Sequence, residues 1–440
     1  MKVKFAWRAE DRHPATQVMD SISVESKGLA DGLHPGIKRA GLSARCSDCN
    51  VASRAVLTFA TISMGADMIG LFLKVAQTLG TRSVRVWEWD KADVLKQRLP
   101  NNPVWTDFAK EHPRLRFSGW QLAHAIVKAD FLTTKNPVLP GLGFLLQSCD
   151  VLALNHTPNF RIIDNIAGTL NDFAFTGFSG RTAQGIAILF ATRMKYIFAG
   201  HLGSDPAVGK GVRAADFLFE NTSKERMILE SKGSFSLSTN DPTKVKTVLK
   251  NALQEQVYPW LANISPPATK GFATYTCVRE ESGPEDSAII FVDPSGEAGG
   301  EPIEIGKSWI RRRNYAAWLD AMGLPGPAER LRDSRDAVPH LLNMPIIHVM
   351  GRRIAVMLTW NPEAKFGFYG LGIEEKAINA ISETITGREA DLVEYEGIDG
   401  WDDDTALRRL VDASGSLMPD GTFLGRVDAH DIIGWGQYKL

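Results

Sequence analysis

The sequence is short of the features that most readily sort a chain into a class. It has four cysteines in 440 residues, too few for a disulfide framework and in keeping with a reducing compartment. Cys46 and Cys49 form a CxxC, but a zinc site needs a second ligand pair, and Cys149 and Cys277 are distant singletons. No apolar run approaches the roughly 20 residues of a membrane span. The N-terminal MKVKFAWRAEDRH is charged where a secretory leader would be apolar. These absences predict a cytoplasmic protein. Net charge is −1, so no global field recruits a polyanion, and any such site is a local patch. The nine histidines are scattered, without HExxH or HxE spacing. Three familiar motifs break off: PGLGFLL lacks the third glycine of a dinucleotide fingerprint, GFSGR has Arg181 where a nucleophile elbow around Ser179 needs glycine, and GGEPIEIGKS has Glu301 where a P-loop starts with glycine.

What is present is ordinary globular material, 44% hydrophobic and 23% charged. The length suits two or three structural units, divided here as 1–170, 171–300 and 301–440. In the first, MGADMIGLFLKVAQTLG (64–80) reads as a helix ended by Gly80, RSVRVWEWD (82–90) as a strand and GLGFLLQSCDVLALN (141–155) as a buried helix. In the second, Ala183, Ile186, Ala187, Phe190, Ala191 and Met194 recur at helical spacing over 181–196. Strand-like runs follow at 214–219 and 226–232. Asp241 suits an N-cap and Pro242 the first helical position of a helix striped by Val245, Val248, Leu249, Ala252 and Leu253. KGFATYTCVRE and AIIFVD read as strands before the PSGEAGGEP break at 294–302. The order helix, strand, strand, helix, strand, strand predicts a mixed α/β layer. Residues 381–440 hold five basic and thirteen acidic residues, a net of −8, whereas 191–260 holds ten and seven, a net of +3. A polyanion would prefer the latter.

One stretch is locally contradictory. DFLFENTSKERMILESKGS (216–234) places Asp216, Glu230 and Lys232 on two strands that otherwise read as core. Alternation puts Glu230 and Lys232 on one face with Ile228, and Met227, Leu229 and Ser231 on the other. The turn-forming ENTSKE between the runs predicts a hairpin, which brings Asp216 within about 5 Å of the second strand. Two carboxylates held that close repel unless a cation lies between them. A hard divalent ion fits oxygen donors from Asp216, Glu230 and the Ser231 carbonyl, and Lys232 would stand beside it to orient or deprotonate a water.

This segment resembles the PD-(D/E)xK nuclease superfamily, whose pattern is an Asp on one strand and Glu/Asp-x-Lys on the next. Asp216, Glu230 and Lys232 match it, and Ala215 stands where the pattern has Pro. Gln184 takes the place of the acidic residue that the first helix of that family often carries. Gln254-x-x-x-Tyr258 resembles a motif of its RecB-type members, although helical phase turns Gln254 away from the apolar stripe. The resemblance covers roughly 120 residues. It implies a restriction endonuclease-like mixed sheet flanked by helices, with additional N- and C-terminal α/β regions. It also implies Mg²⁺ or Mn²⁺, a DNA substrate with RNA as the other polynucleotide, protein partners or a homo-oligomer, and a role in restriction or anti-phage defence. The competing expectation is a nuclease-like subunit without catalysis that binds nucleic acid or protein, with Glu230 and Lys232 a buried structural pair.

Overall fold

The structure, a computed structural model, describes residues 79–440 apart from 96–97, 100, 102–104, 131–150, 154–157, 171, 205–207, 209–212, 236–240, 262–263, 294–302, 305–308, 334–338, 361–366 and 387–414. The chain divides into Met1–Phe59, which lies outside the described residues, and Ala60–Leu440, to which everything below belongs. Cys46, Cys49, Cys149 and most of the helices expected at 64–80 and 141–155 also lie outside them. Gly80 has φ +62, the left-handed conformation of a glycine that ends a helix. The described end of 141–155 is not helical: Leu152 forms a β-bridge with Ile162.

The fold is α/β with a mixed seven-stranded sheet. Its strands are β1 (Thr81–Trp89), β2 (Ala109–Ser118), β3 (Ile197–His201), β4 (Phe217–Glu220), β5 (Arg226–Ser234), β6 (Ala268–Cys277) and β7 (Ala288–Val292), in spatial order β2-β1-β7-β6-β5-β4-β3. Strands from both sides of residue 170 thus share one sheet. β3, β4 and β5 form an antiparallel meander, and β6 lies parallel to β5. β3 was not expected from the sequence. It is an edge strand covered by a helix, and Gly200 (φ +151) permits the approach: a Cβ there would stand 2.3 Å from Ile310 Cγ2.

Helix α1 (Gly119–Asp130) and helix α2 (Asp172–Arg193) cover one face of this sheet. α2 starts nine residues before the apolar periodicity does and stops at Arg193, where Lys195 turns to φ +65. Met194, expected on the buried stripe, is therefore 38% exposed. The opposite face carries α3 (Pro242–Ala252), a π turn (Leu253–Val257) and α4 (Tyr258–Leu261). Pro242 opens α3 as expected, but Asp241 makes no side-chain cap bond. Instead its backbone carbonyl accepts from Lys244 and Val245 N–H.

Beyond these lie α5 (Trp309–Ala321), α6 (Pro325–Asp333) and α7 (Glu375–Ile385), with a six-stranded antiparallel sheet. The apolar run at 345–358 divides into two of its strands, Leu341–Val349 and Arg352–Trp360. Met350 and Gly351, both at positive φ, make the turn. The largest core cluster runs from Phe217, Leu229 and Phe272 through Ile186 and Phe190 of α2 to Met344, Ile373 and Leu424 of the second sheet. A second cluster joins Val245, Leu249 and Val257 to Ala273, Tyr275 and Ile290. Among the described residues no helix is long and apolar enough to cross a membrane.

Candidate active site

β4 and β5 pair as the hairpin reading requires. Phe217 lies opposite Leu229 and Leu218 opposite Ile228, so the register carries Asp216 to Glu230. Ile228 and Leu218 pack with Trp260 and Ile264 on one face, whereas Met227 and Leu229 pack with Phe217 and Phe219 on the other. The alternation places Glu230 with Ile228.

The two carboxylates are interlocked. The Asp216 N–H donates to Glu230 Oε2 at 3.0 Å, and the Ser231 N–H donates to Asp216 Oδ2 at 3.0 Å. Lys232 Nζ forms an ion pair with Glu230 Oε1, which accepts no other hydrogen bond among the described residues. The lysine side chain is 37% exposed and the Glu230 side chain 0%, so the cation emerges from the sheet while its partner stays inside. From α2, the Gln184 side chain acts on the Asp216 carboxyl and favours its ionised form. Close helix packing brings it there: a Cβ on Gly233 would stand 2.3 Å from Ala183 Cβ and 2.9 Å from the Ser179 carbonyl. Ser179 itself is buried inside α2, with its hydroxyl donating to the Thr176 carbonyl. The Ser231 hydroxyl is buried and unpartnered among the described residues.

This environment holds protons. Burial pushes the Glu230 carboxyl up to about 8, and the neighbouring Asp216 charge pushes the same way against the opposing pull of Lys232. Burial also raises Asp216, opposed by the Ser231 N–H, Lys232 and Gln184. A fully buried and a half-buried carboxyl with one partly exposed ammonium favour retention of a proton unless another cation arrives. Two carboxylates and a backbone carbonyl are hard oxygen donors, so the residues present fit Mg²⁺ or Mn²⁺.

Asp216, Glu230, Ser231, Lys232 and Gln184 thus come together. Gln254 and Tyr258 do not join them. Gln254 is exposed on the π turn, and the Tyr258 ring lies beneath Lys91 Nζ at 5.1 Å. The same turn instead directs Gln256 and Trp260 to the backbone just before Asp216, with side-chain donors 3.3 Å from the Ala214 carbonyl and 2.8 Å from the Arg213 carbonyl. The sequence signal for these two was their four-residue spacing, with no polar pattern to single them out. Elsewhere, Asp428, His430 and Asp431 stand close enough to share an ion, but Asp428 and Asp431 already cap each other's turn.

Comparison with known protein families, curated proteins and solved structures finds no match.

Proposed function

We propose that the region built around α2 and β3–β6 is a metal-dependent phosphodiesterase acting on DNA, of the PD-(D/E)xK type. The observation that carries this reading is the pairing of half-buried Asp216, at the entry to β4, with fully buried Glu230 in the middle of β5, and Lys232 emerging beside them. The element order helix, three antiparallel strands, helix, parallel strand supports it, because a restriction endonuclease-like core has the same succession.

Asp216, Glu230 and the Ser231 carbonyl would hold Mg²⁺ or Mn²⁺. Such an ion supplies acidity to a bound water and neutralises charge on a phosphate. The chain's own residues do the rest. To ligate the ion Glu230 would release its proton to solvent, and the Ser231 N–H holds the Asp216 carboxylate in place. Lys232, freed from its pairing with Glu230, donates to the water or to phosphate oxygens as negative charge develops.

One observation favours a second reading, a non-catalytic subunit. The carboxylates are already satisfied by backbone N–H groups and by Lys232, and neutral Gln184 stands where another acid would strengthen ion binding. Incubation of the protein with Mg²⁺ and linear, circular or single-stranded DNA, or RNA, tests the proposal. Metal-dependent cleavage that Asp216→Ala removes together with ion binding supports it. Nucleic-acid binding without cleavage of any substrate supports the second reading.

A further inference from the structure

We infer that Gln256 and Trp260 are positioning residues for Asp216, acting through the backbone that leads into β4. The inference rests on the proposed metal site and deepens it, since it names what holds the aspartate there. Asp216 lies outside the regular strand, which starts at Phe217. The Leu202 N–H donates to the Asp216 carbonyl at 3.2 Å, tying it to the end of β3, and the conformation of residues 213–215 fixes its approach from the other side.

That segment is held from the helix side. Trp260 is 2% exposed, packed with Ala215, Leu218, Ile228 and Ile264. Its indole Nε1–H donates to the Arg213 carbonyl at 2.8 Å, and the Gln256 amide donates to the Ala214 carbonyl at 3.3 Å. Arg213 is further tied by an ion pair to Glu255 on the exposed side. Three side chains of one helical segment thus grip two consecutive residues, 213 and 214, separated from Asp216 only by Ala215. The π turn Leu253–Val257 makes this available. Its wider winding keeps Leu253, Val257 and Leu261 in the buried cluster facing β6 while Gln256 and Trp260 face the loop. On the far side, Asp216 is held by the Ser231 N–H and holds Glu230. Loosening residues 213–215 consequently loosens both carboxylates.

Hydrogen exchange and ion titration on the whole protein test this. Trp260→Phe keeps an aromatic ring, smaller than the indole, and removes the N–H donor; Gln256→Ala removes the other. Ile264→Val is the control, because it weakens the same apolar cluster without touching a hydrogen bond to the loop. The expected result is faster exchange of the Asp216 and Ser231 amides in Trp260→Phe and Gln256→Ala. Mn²⁺ affinity should fall about tenfold in each, the typical size of a second-layer effect on a metal site. Ile264→Val should lower the melting temperature and leave both readouts at the wild-type level. Unchanged amide exchange in Trp260→Phe and Gln256→Ala overturns the inference, as does an equal loss of both readouts in Ile264→Val. A wild-type protein that takes up no Mn²⁺ defeats the metal-site reading instead, and the exchange measurement still decides the positioning role.

Discussion

In the proposed reaction most of the chemistry turns on Glu230, because it is fully buried and yet would have to change its charge. Its carboxyl is raised from an ordinary 4.5 to about 8. A raised carboxyl contributes stability that is whole below its unfolded value and is lost as pH climbs through the folded one. The metal-free protein is therefore expected to lose stability between about pH 4.5 and pH 8, on the order of a few kcal/mol. Asp216 adds in the same direction. Mn²⁺ should restore the loss, most strongly at the alkaline end where it competes with fewer protons. Melting temperatures from pH 5 to 8.5, with chelator and with Mn²⁺, check this. A metal-free melting curve flat across that range contradicts the burial argument. The convergence of Asp216, Glu230 and Lys232 was legible in the sequence because charge on two core-like strands is locally inconsistent. The hairpin spacing then decided which charges meet.

At the scale of elements, the packing of α2 on β5 determines how near Gln184 comes to Asp216. Gly233 sits at the contact, with no room for a methyl between Ala183 and the Ser179 carbonyl. Gly233→Ala is expected to cost about 1–3 kcal/mol, the usual penalty of overpacking. It should also weaken Mn²⁺ binding by pushing the helix off the strand. Urea denaturation together with ion titration measures both, and wild-type values in both would show that the helix accommodates the methyl freely. The sequence disclosed α2 and α3 through their apolar stripes but not their limits. The first nine residues of α2, DFAFTGFSG, lack a single-face period. β3 escaped because YIFAGH is a short apolar run directly after a helix, where periodicity does not separate strand from helix end. Gln254 and Tyr258 were attractive only as a spaced pair. The π turn that selects Gln256 and Trp260 leaves no mark in the apolar pattern.

In the whole molecule, the two sheets are joined by a buried polar cluster that nothing local in the sequence announces, since its members are almost 300 residues apart. Lys128 Nζ on α1 meets Asp420 Oδ2 at 2.5 Å, with side-chain exposures of 0% and 3%. The Asn314 amide and the Tyr315 hydroxyl also donate to Asp420, and the Lys128 ammonium lies 5.2 Å from the Trp318 ring. Burial drives the adjacent His124 down to about 3, so it is neutral across the physiological range and serves the Ser416 and Thr422 hydroxyls. Lys128→Met strands a buried carboxylate and is expected to cost about 3–5 kcal/mol in urea unfolding. Lys128→Met with Asp420→Leu should recover most of that loss, and failure to recover would place the cluster's value in the surrounding hydrogen bonds instead. Whether the Asp216–Glu230–Lys232 cluster performs the proposed phosphodiester hydrolysis is decided by Lys232→Ala. Lys232 reaches solvent and contributes one positive charge among several in its segment, so its removal takes away little attraction to phosphates. In the proposed reaction its effect belongs to the transition state. Single-turnover DNA cleavage in Mg²⁺ should fall about 100-fold or more, with DNA affinity and melting temperature close to wild type. An inactive wild type, a Lys232→Ala protein that cleaves at the wild-type rate, or one that loses activity only because it has unfolded, contradicts the claim.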